Sequence, residues 1–120
     1  MDYFKSQSLK AVELHKKNNF EAAKKIYLKL LKIQPKNFQI LRLLGTIEIK
    51  FNNLDKALDL LNLCIDLNVS DSEAYSNRGI VFFKKKEFEK ARNDYLYSIN
   101  LNNNINAFND KSNTDLNRAW

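Results

Sequence analysis

A single sequence period runs through most of this chain and constrains its fold more than any other feature. Gly45 and Gly79, the two glycines of the sequence, lie 34 residues apart (79 − 45 = 34), and this is the period. The same interval separates the members of five further sets: Ala23, Ala57 and Ala91; Phe20, Leu54 and Phe88; Lys16, Lys50 and Lys84; Tyr27, Leu61 and Tyr95; Ile33, Leu67 and Leu101. A repeat of this length is typical of supersecondary units that bury a core by stacking on one another. We therefore predict three units, residues 4–37 (unit 1), 38–71 (unit 2) and 72–105 (unit 3).

Each unit is predicted to contain two helices, helix A and helix B. In unit 2, apolar or small residues recur at helical spacing in residues 38–51 and again in residues 54–67. Asn52 and Asn53 stand between the two segments, where asparagine suits a short turn, and Asp71 can cap the helix that follows. With one proline and two glycines in 120 residues, the chain lacks the breakers that an all-β fold needs. The fold class is all-α.

Gly45 and Gly79 occupy the same position within helix A, and this repetition needs a reason because glycine costs about 1 kcal/mol relative to alanine inside a helix. We expect close approach of the paired helix B at this position, with Ala57 and Ala91 as the reciprocal small residues. Glu48 falls on a predicted interhelical face, where a carboxylate needs a partner. We expect it either to reach solvent or to pair with a base such as Arg78.

These features resemble the tetratricopeptide repeat (TPR). The shared elements are the length of the repeat, a small residue midway along helix A, an alanine early in helix B, a large residue one turn later, and Pro35 at the end of unit 1. Residues 73–79 give the closest match, whereas Val69 and Asn103 replace the family proline in units 2 and 3. The resemblance implies a single domain, a right-handed α-solenoid of three helix–turn–helix repeats. Residues 106–120 are then expected to form a capping helix or helix A of a partial fourth repeat.

The resemblance also implies a protein–protein interaction module, whose concave face is lined by the A helices. Carried over by position, the groove-facing residues form an apolar strip beside a ladder of basic side chains. We expect this groove to bind a peptide or partner protein with apolar and acidic groups. The candidate residues are Val12, His15, Lys16, Arg42, Thr46, Ile49, Lys50, Asn77, Ile80, Phe83 and Lys84.

Some members of the family clamp the acidic C-terminus of heat-shock chaperones with basic residues and asparagines. In the direct register this chain offers Ser8, Val12, Leu43, Glu73 and Asn77 at the clamp positions. Moved by one unit it offers Arg42, Thr46, Asn77, Ala107 and Lys111, with one identity. The sequence therefore does not favour a chaperone tail as the ligand.

Two other functions stay open. The net charge of +6 and lysines such as Lys10, Lys17, Lys24, Lys25, Lys32 and Lys84 to Lys86 could serve a nucleic-acid or anionic-surface binder. Alternatively, the chain is a structural repeat protein that self-associates by end stacking, as a homo-oligomer. The domain could also be the N-terminal scaffold of a larger protein.

Nothing in the sequence predicts an enzyme, a cofactor or a metal site. His15 is the one histidine and Cys64 the one cysteine, whereas a zinc site needs three or four ligands. Two glycines that stand a whole repeat apart cannot form a phosphate-binding loop. A single cysteine and the absence of a long apolar run favour a cytoplasmic location and no membrane span.

Overall fold

The computed structural model describes residues 2–109, and their side chains through residue 103. Within this part of the chain there are six helices and no strand: α1 (Tyr3–Lys16), α2 (Phe20–Ile33), α3 (Phe38–Lys50), α4 (Leu54–Leu67), α5 (Ser72–Lys84) and α6 (Phe88–Asn109). Helices α1, α3 and α5 are the A helices, and α2, α4 and α6 are the B helices. The predicted all-α repeat solenoid is confirmed.

The A helices begin and end at chemically defined positions. Asp2, Asn37 and Asp71 cap α1, α3 and α5, each side chain accepting a hydrogen bond from a backbone N–H in the first turn. After each A helix one residue adopts a left-handed conformation, namely Asn18, Asn52 and Lys86, with φ between 61° and 65°. These three residues are spaced by the period of the sequence. Such a residue ends a helix by satisfying its last carbonyls, and it turns the chain into helix B.

The space beside the two glycines is filled by large side chains of helix B. A Cβ atom on Gly79 would lie 2.6 Å from Tyr95 Cε1, and one on Gly45 would lie 3.2 Å from Leu61 Cδ2. The expected close approach of helix B is present, but the nearest groups are this ring and this leucine rather than Ala91 and Ala57. The glycines therefore make room for the large residue one turn after each alanine.

The core is continuous across the unit boundaries. One cluster joins α1 and α2 to α3 through residues including Ala11, Tyr27 and Ile47. A second joins α3 and α4 to α5 through residues including Leu61 and Val81. Units 1 and 2 therefore each bury an apolar face against the unit that follows, as repeat architectures require.

Glu48 lies in the first of these boundaries, with 1% of its surface exposed. Its carboxylate is 2.9 Å from Lys24 Nζ on α2 and accepts a hydrogen bond of 2.8 Å from Asn53 Nδ2. The partner is therefore Lys24 of the preceding unit, and the expectation of Arg78 was wrong. Arg78 instead makes a bidentate pair with Asp94 at 2.8 Å, because the two face each other within unit 3.

The predicted helix over residues 106–120 falls largely outside the described residues. Residues 106–109 belong to α6, which runs on from unit 3 without a break. Among the described helices, none combines the length and the apolar character needed to cross a membrane.

Candidate functional site

A groove between α3 and α5 brings together six of the eleven predicted site residues. It has a volume of about 380 Å³ and is lined by Thr46, Ile49, Lys50, Asn77, Ile80 and Lys84. Both lysines are exposed, and Ile80 retains 36% of its surface. The arrangement offers an apolar floor, one side-chain amide and two positive charges, which suits a ligand with an apolar group and a carboxylate.

A polar network anchors one edge of this groove. His15 Nδ1 lies 3.0 Å from Tyr27 Oη, and Thr46 Oγ1 lies 3.3 Å from His15 Nε2. Thr46 also donates to the carbonyl of Leu43 at 2.6 Å. Because the hydroxyl has one proton, Thr46 accepts from His15, which assigns the hydrogen to Nε2 and leaves Nδ1 to accept from Tyr27. The network joins α1, α2 and α3.

Neutral His15 is the form that fits this pattern. Burial, with a smaller effect of the nearby Lys50 charge, lowers the pKa of His15 below its ordinary value of 6.5. Burial also raises the pKa of Tyr27 to about 12, so its hydroxyl keeps the proton that it donates. Both ring nitrogens of His15 are therefore occupied by hydrogen bonds, and the side chain holds Thr46 in place at the edge of the groove.

Arg42 was predicted as a cation of the groove, and the structure places its guanidinium in an ion pair. Arg42 Nη1 donates to Asp71 Oδ2 at 2.6 Å, and the two side chains are 17% and 6% exposed. The same aspartate caps α5 and accepts from Cys64 Sγ at 3.5 Å. Arg42 thus fastens α3 to the residue that caps α5, and Lys50 and Lys84 carry the positive charge of the groove.

The remaining predicted residues lie apart from this pocket. Val12 is half-buried on α1, and Lys16 is exposed in its last turn. Phe83 follows Ile80 on α5, but its ring packs edge-to-face on Phe88 of α6, with 5.3 Å between centroids. Phe83 therefore contributes to a second pocket and not to the groove wall with Ile80.

This second pocket was not predicted as a site. It has a volume of about 290 Å³ and lies on the outer side of unit 3, lined by Phe83, Phe88, Ala91, Arg92, Tyr95 and Leu96. Its position in the repeat could have indicated it. In units 1 and 2 most of the residues at the same repeat positions pack against the following unit, so in unit 3 they are expected to leave an apolar surface.

Several lysines of the alternative anion-binding surface are already paired. Lys24 holds Glu48, and Lys85 Nζ lies 2.5 Å from Asp55 Oδ1. Lys17 lies 3.9 Å from Glu13, a weak exposed pair. These pairs reduce the positive charge that this surface can offer to an anion.

Cys64, the one cysteine of the sequence, is not set up as a nucleophile. Cys64 is fully buried, and burial, with the charge of Asp71, raises its pKa to about 12, so its thiol is unreactive at neutral pH. In residues 2–109 no group of three or more His, Cys, Asp or Glu side chains is placed to hold a metal.

The stacked helical hairpins and the groove along their A helices define a helical repeat protein. The family model of the tetratricopeptide repeat matches residues 4–37, which is unit 1 as predicted from the period. The predicted resemblance to the tetratricopeptide repeat is therefore confirmed for unit 1, and units 2 and 3 repeat its pair of helices.

Solved structures with the same fold include TPR domains from several proteins. The first TPR of Spaghetti (RPAP3), bound to the HSP90 peptide SRMEEVD, superposes with a TM-score of 0.77 at 24% identity, covering 82% of this chain and 78% of that one. The Sgt2 TPR domain from Aspergillus fumigatus gives 0.79 at 18% identity, covering 87% of this chain and 69% of that one. A mutant O-GlcNAc transferase from Thermobaculum terrenum gives 0.80 at 22% identity, covering 82% of this chain and 19% of that one. At these identities the likeness shows the fold alone.

Proposed function

We propose that this chain is a protein–protein interaction module that binds a peptide or partner protein in the groove between α3 and α5. The observation that carries the proposal is the convergence of Ile49, Ile80, Asn77, Lys50 and Lys84 on one concave surface. TPR structures such as those of Spaghetti hold a peptide, which supports the same use of the fold here. The proposal assigns no reaction to this chain.

The expected ligand combines an apolar anchor with a carboxylate. The anchor lies between Ile49 and Ile80, and its carboxylate lies between the ammonium groups of Lys50 and Lys84. Asn77, half-buried beside them, can donate to or accept from a peptide backbone. This surface differs from the clamp by which some family members hold the acidic C-terminus of heat-shock chaperones. Arg42 is already paired with Asp71, and in the direct register the residues at the clamp positions do not match it.

The test uses the full chain, immobilised through a terminal tag, and compares the partners that it captures with those captured by matched variants. Lys50→Glu/Lys84→Glu and Ile80→Asp should abolish capture. The controls Lys29→Glu/Lys32→Glu and Leu63→Asp replace two lysines and one aliphatic residue in the same way at exposed positions of α2 and α4, away from the groove pocket, and should retain capture. Partners that persist with Lys50→Glu/Lys84→Glu would refute the basic–apolar groove.

Two defined probes separate this proposal from its alternatives. The peptide SRMEEVD should bind no better than a shuffled peptide, since the clamp is incomplete. A single-stranded oligonucleotide should bind only at low salt and without dependence on Ile80. The anionic-ligand function would be favoured if the oligonucleotide binds at physiological salt, if lysine substitution weakens this binding, and if Ile80→Asp leaves it unchanged.

A further inference from the structure

The outer side of unit 3 exposes residues whose counterparts in units 1 and 2 are covered. Ile99 is 53% exposed, whereas Ile65, at the same phase of unit 2, is 7% exposed beneath α5. Phe88 is 56% exposed, whereas Phe20 and Leu54 are partly buried against the following unit. In the two inner boundaries of the chain, a surface at these phases receives the A helix of the next unit. We call this surface of unit 3 the terminal face; it consists of Phe83, Phe88, Arg92, Tyr95 and Ile99.

The terminal face also repeats the residue types of one of those boundaries. Phe88 and Tyr95 are identical to Phe20 and Tyr27 of α2, two periods earlier, and Arg92 stands where α2 has Lys24. The α4 surface differs at all three phases. The boundary between α2 and α3 therefore shows what chemistry fits the terminal face.

At that boundary α3 supplies an acid and an aromatic ring. Glu48 pairs with Lys24 at 2.9 Å. Phe51, at the end of α3, packs edge-to-face on Phe20 with 6.3 Å between centroids, and Lys24 Nζ lies 5.6 Å from the centre of the Phe51 ring. Ile40 and Ile47 bring aliphatic contacts to the same core. Among residues 2–103 no carboxylate forms such a pair with Arg92.

We propose that the terminal face binds an amphipathic helix of a partner protein, with a carboxylate opposite Arg92 and an aromatic residue three positions later against Phe88. The pocket of about 290 Å³ between Phe83, Phe88 and Leu96 receives the aromatic side chain. Burial of this pair within an apolar rim excludes water, which strengthens the attraction between Arg92 and the acid. This site is separate from the groove, so one chain can hold two partners.

Head-to-tail stacking of a second copy fits the terminal face less well. The surface that such a copy would offer is the outer side of α1, where Ser6, Lys10, Glu13 and Lys17 occupy the phases of Ile40, Leu44, Ile47 and Phe51. All four side chains are exposed. Lys10 and Lys17 would also bring like charge towards Arg92, and Glu13 is already 3.9 Å from Lys17.

The chain's own sequence does not supply this helix in the register of the repeat. Residues 106–109, where the period would begin a fourth helix A, continue α6. A helix resumed at the phases of the repeat would place Ser112 and Asp115 where α3 has Leu44 and Ile47, and Leu116 where it has Glu48, so the arginine would have no acid in that register.

The test titrates the full 120-residue chain into a fluorescein-labelled peptide of residues 37–53, which carries the chemistry of α3. Arg92→Glu and Ile99→Asp should each weaken binding about tenfold or more. The controls Lys32→Glu and Leu63→Asp, at exposed positions of α2 and α4, should change it by less than about twofold. A peptide with Glu48→Lys should bind poorly to the wild type and regain affinity for Arg92→Glu. Amide NMR shifts should map to residues 88–99.

Three results would overturn the proposal. The first is peptide binding that Arg92→Glu and Ile99→Asp leave unchanged, or amide shifts confined to α2. The second is a gain of about tenfold in peptide affinity when the chain is ended at Asn109, since residues 110–120 would then be the occupant. The third is a dimer in sedimentation that Ile99→Asp dissociates, since a second copy would then cover the face. Loss of the groove interaction in Lys50→Glu/Lys84→Glu leaves this site untouched, so the two proposals fail independently.

Discussion

Replacing Lys24 by leucine tests the ion pair that joins units 1 and 2. The substitution retains most of the aliphatic bulk of the lysine and removes the charge. It leaves Glu48, which is 1% exposed, with the hydrogen bond from Asn53 at 2.8 Å as its remaining polar contact among those described. The folded protein must then hold a poorly compensated carboxylate or protonate it.

The expected loss can be estimated from the geometry. Removing one partner of a fully buried pair costs about 3–5 kcal/mol. Here the Lys24 side chain keeps 22% exposure and Asn53 still donates, so we expect about 2–3 kcal/mol at pH 7. For a domain of this size the melting temperature should fall by about 10–20 °C.

The chain supplies its own control for this substitution. Leucine already stands at the phase of Lys24 in unit 2, as Leu58, and at the phase of Glu48 in unit 1, as Leu14. The double variant Lys24→Leu/Glu48→Leu should therefore be within about 1 kcal/mol of the wild type, because no charge is left without a partner.

Urea unfolding monitored by circular dichroism at pH 7 and pH 4 measures both effects. Burial by itself raises the pKa of Glu48, but hydrogen bonds from Asn53 and Lys24 and the charge of Lys24 outweigh it, and the pKa lies below 4.5 in the wild type. The stability from this low pKa is present above pH 4.5 and is lost as the pH falls. In Lys24→Leu the pKa rises, so the deficit should shrink at pH 4. An equal deficit at both pH values, or a double variant as unstable as the single one, would refute the reasoning.

Three further predictions concern stability and need the same unfolding measurement. Gly79→Ala should cost about 1–2 kcal/mol, since its Cβ would lie 2.6 Å from the Tyr95 ring, whereas Gly45→Ala, at 3.2 Å from Leu61, should be near neutral; equal effects would contradict the packing argument. Burial lowers the pKa of His15, so the folded state binds fewer protons than the unfolded state. Stability should therefore decline as the pH falls below 6.5. If a His15→Gln variant shows the same dependence of stability on pH as the wild type, the decline does not come from His15. Lys86→Gly should stabilise by about 0.5–1 kcal/mol, because Lys86 has φ of 65°, and a loss of stability would show that the lysine makes a needed contact.

The helices could be predicted from the sequence because their signals are local and repeated three times. The turns after α1 and α3 carry Asn18 and Asn52, and Asp71 was identified as a cap from its position before α5. The partners of charged side chains were not predictable in the same way. A repeat phase places Glu48 on a face, but the choice between Lys24 and Arg78 depends on how the neighbouring unit rotates against it.

The groove shows the same division. Position along helix A was enough to bring Thr46, Ile49, Asn77 and Ile80 to one surface. The same reasoning could not show that Arg42 pairs with Asp71, the cap of α5. That pair joins α3 to a later loop, and its formation depends on how α5 packs beside α3. Nor could it separate Phe83 from Ile80, since the two share a helix and differ in which neighbour they contact.

The ion pair of Lys24 and Glu48 limits the order in which such units can succeed one another. A copy of unit 2 placed after unit 2 would set the carboxylate of Glu48 against Leu58, a buried charge facing an aliphatic side chain. The same copy placed after unit 3 would meet Arg92 and be neutralised. Duplication of unit 2, the simplest route by which an array lengthens, is therefore opposed directly after unit 2 and allowed after unit 3, so a unit that carries Glu48 selects the unit before it by charge as well as by shape.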